Sequence, residues 1–370
     1  MACGGTGGHI YPALAIADTI KRKHPEAEIL FIGTKAGMEN QIVPANGYPI
    51  KSIDAAGINR KKIWKNIGTL HKAFEGYGEA RRIIDGFQPD LVVGTGGYVC
   101  GPVVLAAHKM KIRTAIHEQN AFPGMTNKLL CRIADKVFIS FEESRKYFKE
   151  KKTDEKKGHI VLTGNPLRRG FVMSDKKVAR ERLGVKDHQL MVLCFGGSLG
   201  SPRINELMLK LIGLFNRVED VAIYFVTGSK HYEQIREKLE DNEEPAGDNI
   251  RIFPYIENMP EYMGAADVII SRAGALTIAE LTACGKPAIL IPSPYVTGNH
   301  QYYNAKVMAD KGAAVLIEEK DLRDEAVIQV ISQMRKSREM IRVMEAASRS
   351  LAKTDAAETI YEQIRGYIER

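Results

Sequence analysis

Three glycine-rich loops constrain this chain more than any other feature: residues 4–9 (GGTGGH), 94–98 (GTGGY) and 196–200 (GGSLG). Each follows an apolar run and each opens a helical pattern. A strand that stops at a glycine loop and restarts as a helix leaves backbone N–H groups converging on one spot. The helix dipole adds positive potential there, so the spot favours phosphate. One such loop also serves as an ordinary tight turn. Three of them, two in the first half and one early in the second, imply two phosphorylated ligands facing each other across a cleft. None fits the common nucleotide fingerprints. GGSLG continues into Ser201, Pro202 and Arg203 rather than the Lys-Ser or Lys-Thr of a P-loop, and Gly5-Thr6-Gly7 runs into Gly8-His9-Ile10 rather than G-x-G-x-x-G. ATPase and dehydrogenase readings both weaken.

Short apolar runs alternate with longer helical patterns along the chain. The first half carries strand candidates at 28–33, 90–95, 114–117, 136–140 and 160–163; the second carries them at 190–195, 222–227, 250–253, 267–270, 288–291 and 314–317. Continuous rather than alternating apolarity predicts strands buried on both faces, hence parallel sheets covered by helices. The expected fold is α/β, with two doubly wound, Rossmann-like domains. The boundary is placed at Gly164-Asn165-Pro166, giving domains over 1–164 and 165–350 and a closing helix over 351–370 that packs back on the first domain. Only Met1, Ala2 and Cys3 precede the first loop, short of the ~5–6 residues of a typical strand. Either that strand is a stub or the true start lies upstream.

The 370 residues exceed one typical core, in keeping with two domains. The five cysteines form no C-x-x-C pair, which fits a reducing cytosol without disulfides or zinc. No run approaches the ~20 apolar residues of a membrane span, and no signal peptide is recognisable. A formal net charge of +8 points to an acidic partner: nucleic acid, an anionic membrane or a phosphorylated substrate. No two aspartates form D-x-D and no H-E-x-x-H occurs, so a metal-free chemistry without cofactor is expected.

The later motifs are more specific. Residues 267–280 (DVIISRAGALTIAE) lead a strand into a turn and then a helix, with Glu280 one to two turns in, where a carboxylate can accept both hydroxyls of a ribose. Residues 292–301 place Pro292-Ser293-Pro294 and Asn299-His300-Gln301 at the C-terminal end of a predicted strand, the edge at which open α/β sheets bind ligands. HEQN at 117–120 and NPLR at 165–168 accompany GGTGGHIYPALA, GTGGYVCGP, GGSLG, RAGALTIAE and NHQYYNA, all in one order. Together these motifs closely resemble the MurG family, the peripheral N-acetylglucosaminyltransferases of bacterial cell-wall synthesis.

The resemblance implies a GT-B glycosyltransferase moving N-acetylglucosamine from UDP-N-acetylglucosamine to the 4-hydroxyl of undecaprenyl-pyrophosphoryl-muramyl-pentapeptide, lipid I to lipid II, with inversion. It implies an anionic-membrane partner, a peripheral place on the cytoplasmic face and no nucleic acid. By the same resemblance the second domain holds the donor. Ser198 and the GGSLG loop face the diphosphate, and Arg168 adds a fixed cation. Ile256 offers backbone groups to uracil and Glu280 holds the ribose. Residues Ala275, Leu276, Thr277, Ile278 and Ala279, with Gln301, contact the diphosphate and sugar, while Asn120 and Thr6, Gly7 and Gly8 reach across from the first domain. The acceptor pyrophosphate lies near Gly96, Gly97 and Tyr98.

For the base that deprotonates the attacking hydroxyl, His9 closes the first loop and can titrate near neutrality; Glu118 is its rival. Other lipid glycosyltransferases and UDP-N-acetylglucosamine epimerases are disfavoured by HEQN. A non-catalytic nucleotide-sugar-binding subunit is disfavoured by loops in both halves. Finally, Ile63, Ile67, Leu70, Phe74 and Tyr77 recur at helical spacing beside Trp64 and among Lys61, Lys62, Lys65, Lys72, Arg81 and Arg82. Such a stripe is either the core face of a helix or a membrane-docking face led by Ile63, Trp64 and Ile67.

Overall fold

The computed structural model describes residues 1–55, 66–149, 158–171, 175–197, 200–240 and 246–369. The chain forms two compact units, Met1–Arg168 together with Lys353–Arg370, and Arg169–Ala352. The first unit therefore continues past Gly164. Asn165 Nδ2 donates to Gln119 O at 3.2 Å, and the Arg168 guanidinium lies 5.1 Å from the Tyr11 ring centroid, so the segment after the last strand is held by its own sheet edge.

The first unit is a parallel sheet of β1 (Ala2–Cys3), β2 (Phe31–Thr34), β3 (Ile50–Ile53), β4 (Leu91–Gly96), β5 (Arg113–Glu118), β6 (Lys136–Ile139) and β7 (Ile160–Leu162), in the order β3-β2-β1-β4-β5-β6-β7. Successive residues on a strand point to opposite faces, and both faces are covered. Val92 and Ile116 pack on one side with Val103 and Val104; Val93 and Ala115 pack on the other with Ile16, Ile20 and Phe138. The closing helix Ala356–Ile368 joins this second layer through Ile360, Tyr361 and Ile364. Burying an aliphatic side chain of that size is worth about 1.5–3 kcal/mol, enough to hold a terminal helix.

β1 is two residues long, yet Ala2 pairs with Ile32 on one side and Gly94 on the other. Sequence reading missed β3 altogether. Its IKSI run sets two polar residues, Lys51 and Ser52, between the isoleucines, with Lys51 exposed and only Ile53 buried, so it shows neither an apolar run nor an alternation.

The second unit is a parallel sheet of β8 (Leu190–Phe195), β9 (Val221–Val226), β10 (Ile250–Phe253), β11 (Val268–Ser271), β12 (Ala288–Leu290) and β13 (Ala314–Leu316), in the order β10-β9-β8-β11-β12-β13. Every residue of β8 and β9 is buried, which explains why their unbroken apolar runs were the easiest to recognise. Each sheet reverses its strand order once, between β1 and β4 and between β8 and β11. Ligands of such sheets bind at the carboxyl ends of the strands that flank the reversal. All three glycine loops, and the turn after β11, leave from those four strands.

Candidate functional site

In the first unit two glycine loops and the end of β5 interlock. Thr6 caps the helix Gly7–Lys23 in an extended conformation without a side-chain cap bond, and no acidic residue occupies the first turn. Gly5 N donates to Glu39 Oε2 at 3.1 Å, while Glu39 Oε1 accepts from Thr34 N at 2.8 Å and Thr34 Oγ1 at 2.7 Å. These bonds outweigh desolvation and hold the fully buried carboxyl below its usual range. Glu39 thus anchors the first loop from beneath, a role its lone appearance in the sequence did not signal.

The second loop closes over the first. Thr95 Oγ1 donates to His9 O at 2.7 Å, and Gly96 has φ +128. A Cβ at Gly96 would lie 2.3 Å from His9 Nδ1, so only glycine lets the histidine ring approach. The Cys100 thiol donates to Ala2 O at 3.0 Å and accepts from Gly96 N at 3.0 Å, tying the loop to β1. Burial pushes that thiol up to about 12, so it stays protonated. Tyr98 is 61% exposed at the loop tip.

The two candidate bases differ sharply in surroundings. Glu118 is buried, and both oxygens are engaged: Oε1 accepts from Asn120 N at 2.9 Å and Asn120 Nδ2 at 3.1 Å, and Oε2 from Gly124 N at 3.0 Å and Asn127 Nδ2 at 2.9 Å. A carboxylate so saturated organises the loop around Asn120 and has little capacity left to take a substrate proton. His9 is half-buried, with Nδ1 3.1 Å from Gln119 Oε1.

In the second unit the helix Pro202–Phe215 follows the GGSLG loop, with Ser201 as its N-cap. Gly200 has φ +75, and a Cβ there would meet Thr227 O at 2.3 Å. Ser198 lies outside the described residues. The turn after β11 opens the helix Ala275–Ala283, capped by Gly274 with no side-chain bond, so its first N–H groups point outward from the sheet edge. Leu276, Thr277, Ala279 and Glu280 are half-buried on this helix, while Ala275 and Ile278 face the core. Ile256 follows β10 with its side chain buried, leaving backbone groups as what it can offer. Gln301 Oε1 accepts from Ser293 N at 2.9 Å, which turns its amide Nε2 outward as a donor.

Sequence reading missed the residue that binds this edge together. Arg272 donates through Nη1 to Ile291 O at 3.1 Å and Pro292 O at 3.2 Å, and through Nη2 to Ser201 Oγ at 2.7 Å, and it pairs with Glu319. One guanidinium thereby fixes the loops after β8, β11 and β12. Its place inside the SRAG turn was the available signal. Among the described residues no group of three His, Cys, Asp or Glu could hold a metal ion, and no helix is long and apolar enough to cross a membrane.

Residues 1–139 match the glycosyltransferase family 28 N-terminal domain and residues 191–360 match the family's C-terminal domain. The UDP-N-acetylglucosamine–N-acetylmuramyl-(pentapeptide) pyrophosphoryl-undecaprenol N-acetylglucosamine transferase of Acetivibrio thermocellus is 45% identical over 98% of this chain and 96% of its own length. The enzyme of the same name from Clostridioides difficile is 43% identical, over 98% of this chain and 87% of its own. The crystal structure of Acinetobacter baumannii MurG superposes with a TM-score of 0.77 at 30% identity, covering 99% of this chain and 98% of that one.

The chain belongs to the MurG group of glycosyltransferase family 28.

Membership makes it a hexosyltransferase of the GT-B fold. A UDP-N-acetylglucosamine 2-epimerase from Neisseria meningitidis superposes with a TM-score of 0.69 at 14% identity, a likeness of fold alone. In this MurG-group chain the membrane-stripe residues Ile63 and Trp64, and the side chain of Ile67, lie outside the described residues. Of the same stripe, Phe74 is 75% exposed on the helix Asn66–Phe87, but Tyr77 packs on the first core. The stripe therefore does not continue as one surface face. Its inner end is core.

His117 behind the site gives a pH prediction. Burial pulls its imidazole from the ordinary 6.5 down to about 4, so it is neutral in the fold at neutral pH. The unfolded chain binds the extra proton first as pH falls. Stability is therefore fully present above the unfolded value and declines below it. Between about pH 7 and pH 5 this group should cost about 2 kcal/mol. Urea unfolding at both pH values should show that loss in the parent chain and a smaller one in His117→Gln; equal losses would remove His117 as the source.

Proposed function

We propose that this chain transfers N-acetylglucosamine from UDP-N-acetylglucosamine to the 4-hydroxyl of the muramic acid in undecaprenyl-pyrophosphoryl-muramyl-pentapeptide, forming lipid II with inversion at the sugar carbon. The near-full-length identity to transferases named for that reaction carries the reading. The glycine loops at both strand-order reversals supply the phosphate chemistry it requires. Assaying the purified chain for UDP release, with and without a lipid I analogue, tests it. Acceptor-dependent release and a product heavier by one N-acetylglucosamine are expected. Acceptor-independent epimerisation, or no release, would overturn the reading.

In this reading the second unit holds the donor. The GGSLG loop with Ser198 and the helix start at Gly274 and Ala275 meet the diphosphate; Thr277 and Gln301 meet diphosphate and sugar; Ile256 backbone groups meet the uracil. Arg168, Asn120 and residues Thr6 to Gly8 complete the donor contacts, and Gly96, Gly97 and Tyr98 take the acceptor pyrophosphate. Developing charge on the leaving diphosphate is met by N–H groups and Arg168 without a metal. His9 is the base. Glu280 reads the ribose hydroxyls, so Glu280→Gln should weaken UDP-sugar binding by about 1–3 kcal/mol, the range for a charge-assisted hydrogen bond. Unchanged affinity by calorimetry would take Glu280 out of the site.

The enzyme acts as a peripheral protein on the cytoplasmic face of the cell membrane, in wall growth and hence cell shape and division. Supporting this are the net charge of +8 and the exposed apolar side chains Phe74, Met125 and Leu129, carried on the helices Asn66–Phe87 and Met125–Leu130. Lys128 lies within the second of these helices, and Arg132 is exposed just beyond it. Each basic side chain near an anionic bilayer contributes about 1 kcal/mol. Trp64→Ser with Ile67→Ser should reduce binding to anionic vesicles in sedimentation while sparing activity on a soluble acceptor analogue. Undiminished vesicle binding at physiological salt would place the docking face elsewhere.

A further inference from the structure

β5 ends in His117 and Glu118, and Gln119 follows directly; the extended backbone turns Glu118 to one side and brings the Gln119 amide to the His117 side. Glu118 turns to the loop around Asn120, as described above. On the opposite side a continuous hydrogen-bonded chain runs from a backbone carbonyl to His9. His117 Nε2 lies 3.0 Å from Gly164 O, His117 Nδ1 lies 2.9 Å from Gln119 Nε2, and Gln119 Oε1 lies 3.1 Å from His9 Nδ1. Gln119 Nε2 also donates to Thr95 O. His117 is fully buried and Gln119 is 2% exposed, so water does not compete for these groups.

Two carbonyls fix the direction of every bond in this chain. A carbonyl oxygen can only accept. Gly164 O therefore requires the proton of His117 on Nε2, which makes His117 Nδ1 an acceptor in the neutral ring. Thr95 O requires the amide nitrogen of Gln119, not its oxygen, to face β4. The second hydrogen of that nitrogen then serves His117 Nδ1, and both ends agree on one amide orientation. Gln119 Oε1 is consequently the atom facing His9, and it too can only accept. His9 Nδ1 must carry a proton, and in the neutral ring the lone pair lies on Nε2.

We propose that Gln119, oriented by Thr95 and His117, is a positioning residue that holds His9 in the Nδ1–H tautomer and so presents Nε2 as the proton acceptor. The inference rests on the reading of His9 as the base. In the transfer step the acceptor hydroxyl gives its proton to His9 Nε2 as its oxygen bonds the anomeric carbon. The bond from that carbon to the diphosphate breaks, and UDP leaves with the electron pair. The resulting imidazolium keeps its Nδ1–H bond to Gln119, so the ring does not need to turn during the reaction. A neutral amide in this place orients the ring without the strong upward pull on its basicity that a carboxylate partner would exert.

The test uses the full chain with 15N-labelled histidine, His9 being assigned by the signal missing from His9→Ala. Two-bond 1H–15N correlations above the imidazole titration should show the Nδ1–H form for His9 in the parent protein. Gln119→Met should admit the Nε2–H form and lower kcat by about 10²-fold, the low end of general-base contributions, with KM for UDP-N-acetylglucosamine little changed. A parent His9 predominantly protonated at Nε2 would overturn the proposal, and this holds even if Gln119→Met fails to fold. Unchanged kcat in a folded Gln119→Met would overturn it too. Unchanged kcat in His9→Ala would instead refute His9 as the base, while the tautomer spectrum still reports on Gln119.

Discussion

Replacing His9 with alanine should lower kcat by about 10²–10⁴-fold, the span that a positioned general base contributes. The ring touches the glycine loops through its close approach to Gly96, and its backbone carbonyl, which accepts from Thr95 Oγ1, is retained in the variant. Loop geometry and donor affinity should therefore survive. The loss should appear in turnover, with KM for the sugar nucleotide little altered, because proton removal matters only in the transition state. Steady-state kinetics on a soluble lipid I analogue, beside calorimetry with UDP-sugar, separate the two. A variant that binds donor normally and turns over at the parent rate would return the role of base to another group. Glu118→Gln, by contrast, should act through the loop around Asn120. It exchanges an acceptor that serves four donors for an amide that cannot accept at both ends.

Arg272→Ala should destabilise the second unit by about 3–5 kcal/mol, since breaking a buried ion pair leaves the surviving charge uncompensated. The two side chains are only 12% and 16% exposed, so water can recover little of what the Glu319 carboxylate loses. The carbonyls of Ile291 and Pro292 lose their donor at the same time, and the Ser201 hydroxyl loses its tether. Because Ser201 caps the helix behind the GGSLG loop, donor affinity should fall together with stability. Arg272→Lys should recover part of the stability, through the charge, but not the three-loop geometry, because a single ammonium cannot reproduce the guanidinium fork. Urea unfolding and UDP titration on the same samples check both. Parent-like values for Arg272→Ala would mean that the loops are held by their strands alone.

How much was legible beforehand followed from the physics of each element. The strands β8 and β10 were placed to the residue, and most of the others to within a few. β8 is covered on both faces and so writes an unbroken apolar run that a glycine loop ends, whereas the edge strand β10 shows itself by alternation, with exposed Arg251 between Ile250 and Ile252. β3 was illegible because its four residues put Lys51 and Ser52 in succession between the isoleucines, leaving neither an apolar run nor an alternation. The glycine loops announced phosphate chemistry because no other residue permits such close backbone approach. Glu39 and Arg272 escaped notice because a buried charged side chain looks, in a sequence, the same as a solvated one.

The sequence by itself determined the composition of the site: which loops, which helix starts, and which family these motifs belong to. Those are local properties, written in glycine, in apolar runs and in short ordered motifs. Only the tertiary structure decided how those parts are oriented. It turned Glu118 and Gln119, adjacent in the chain at the end of β5, to opposite sides, spending the first on loop bonds and directing the second at His9. It also brought Thr95 and Gly164, far apart in the chain, to the one hydrogen-bonded row that ends at His9, Gly164 at its start and Thr95 on Gln119. The direction of a hydrogen bond depends on what lies at its far end, and that is set by the order of the strands in the sheet, not by neighbours in sequence.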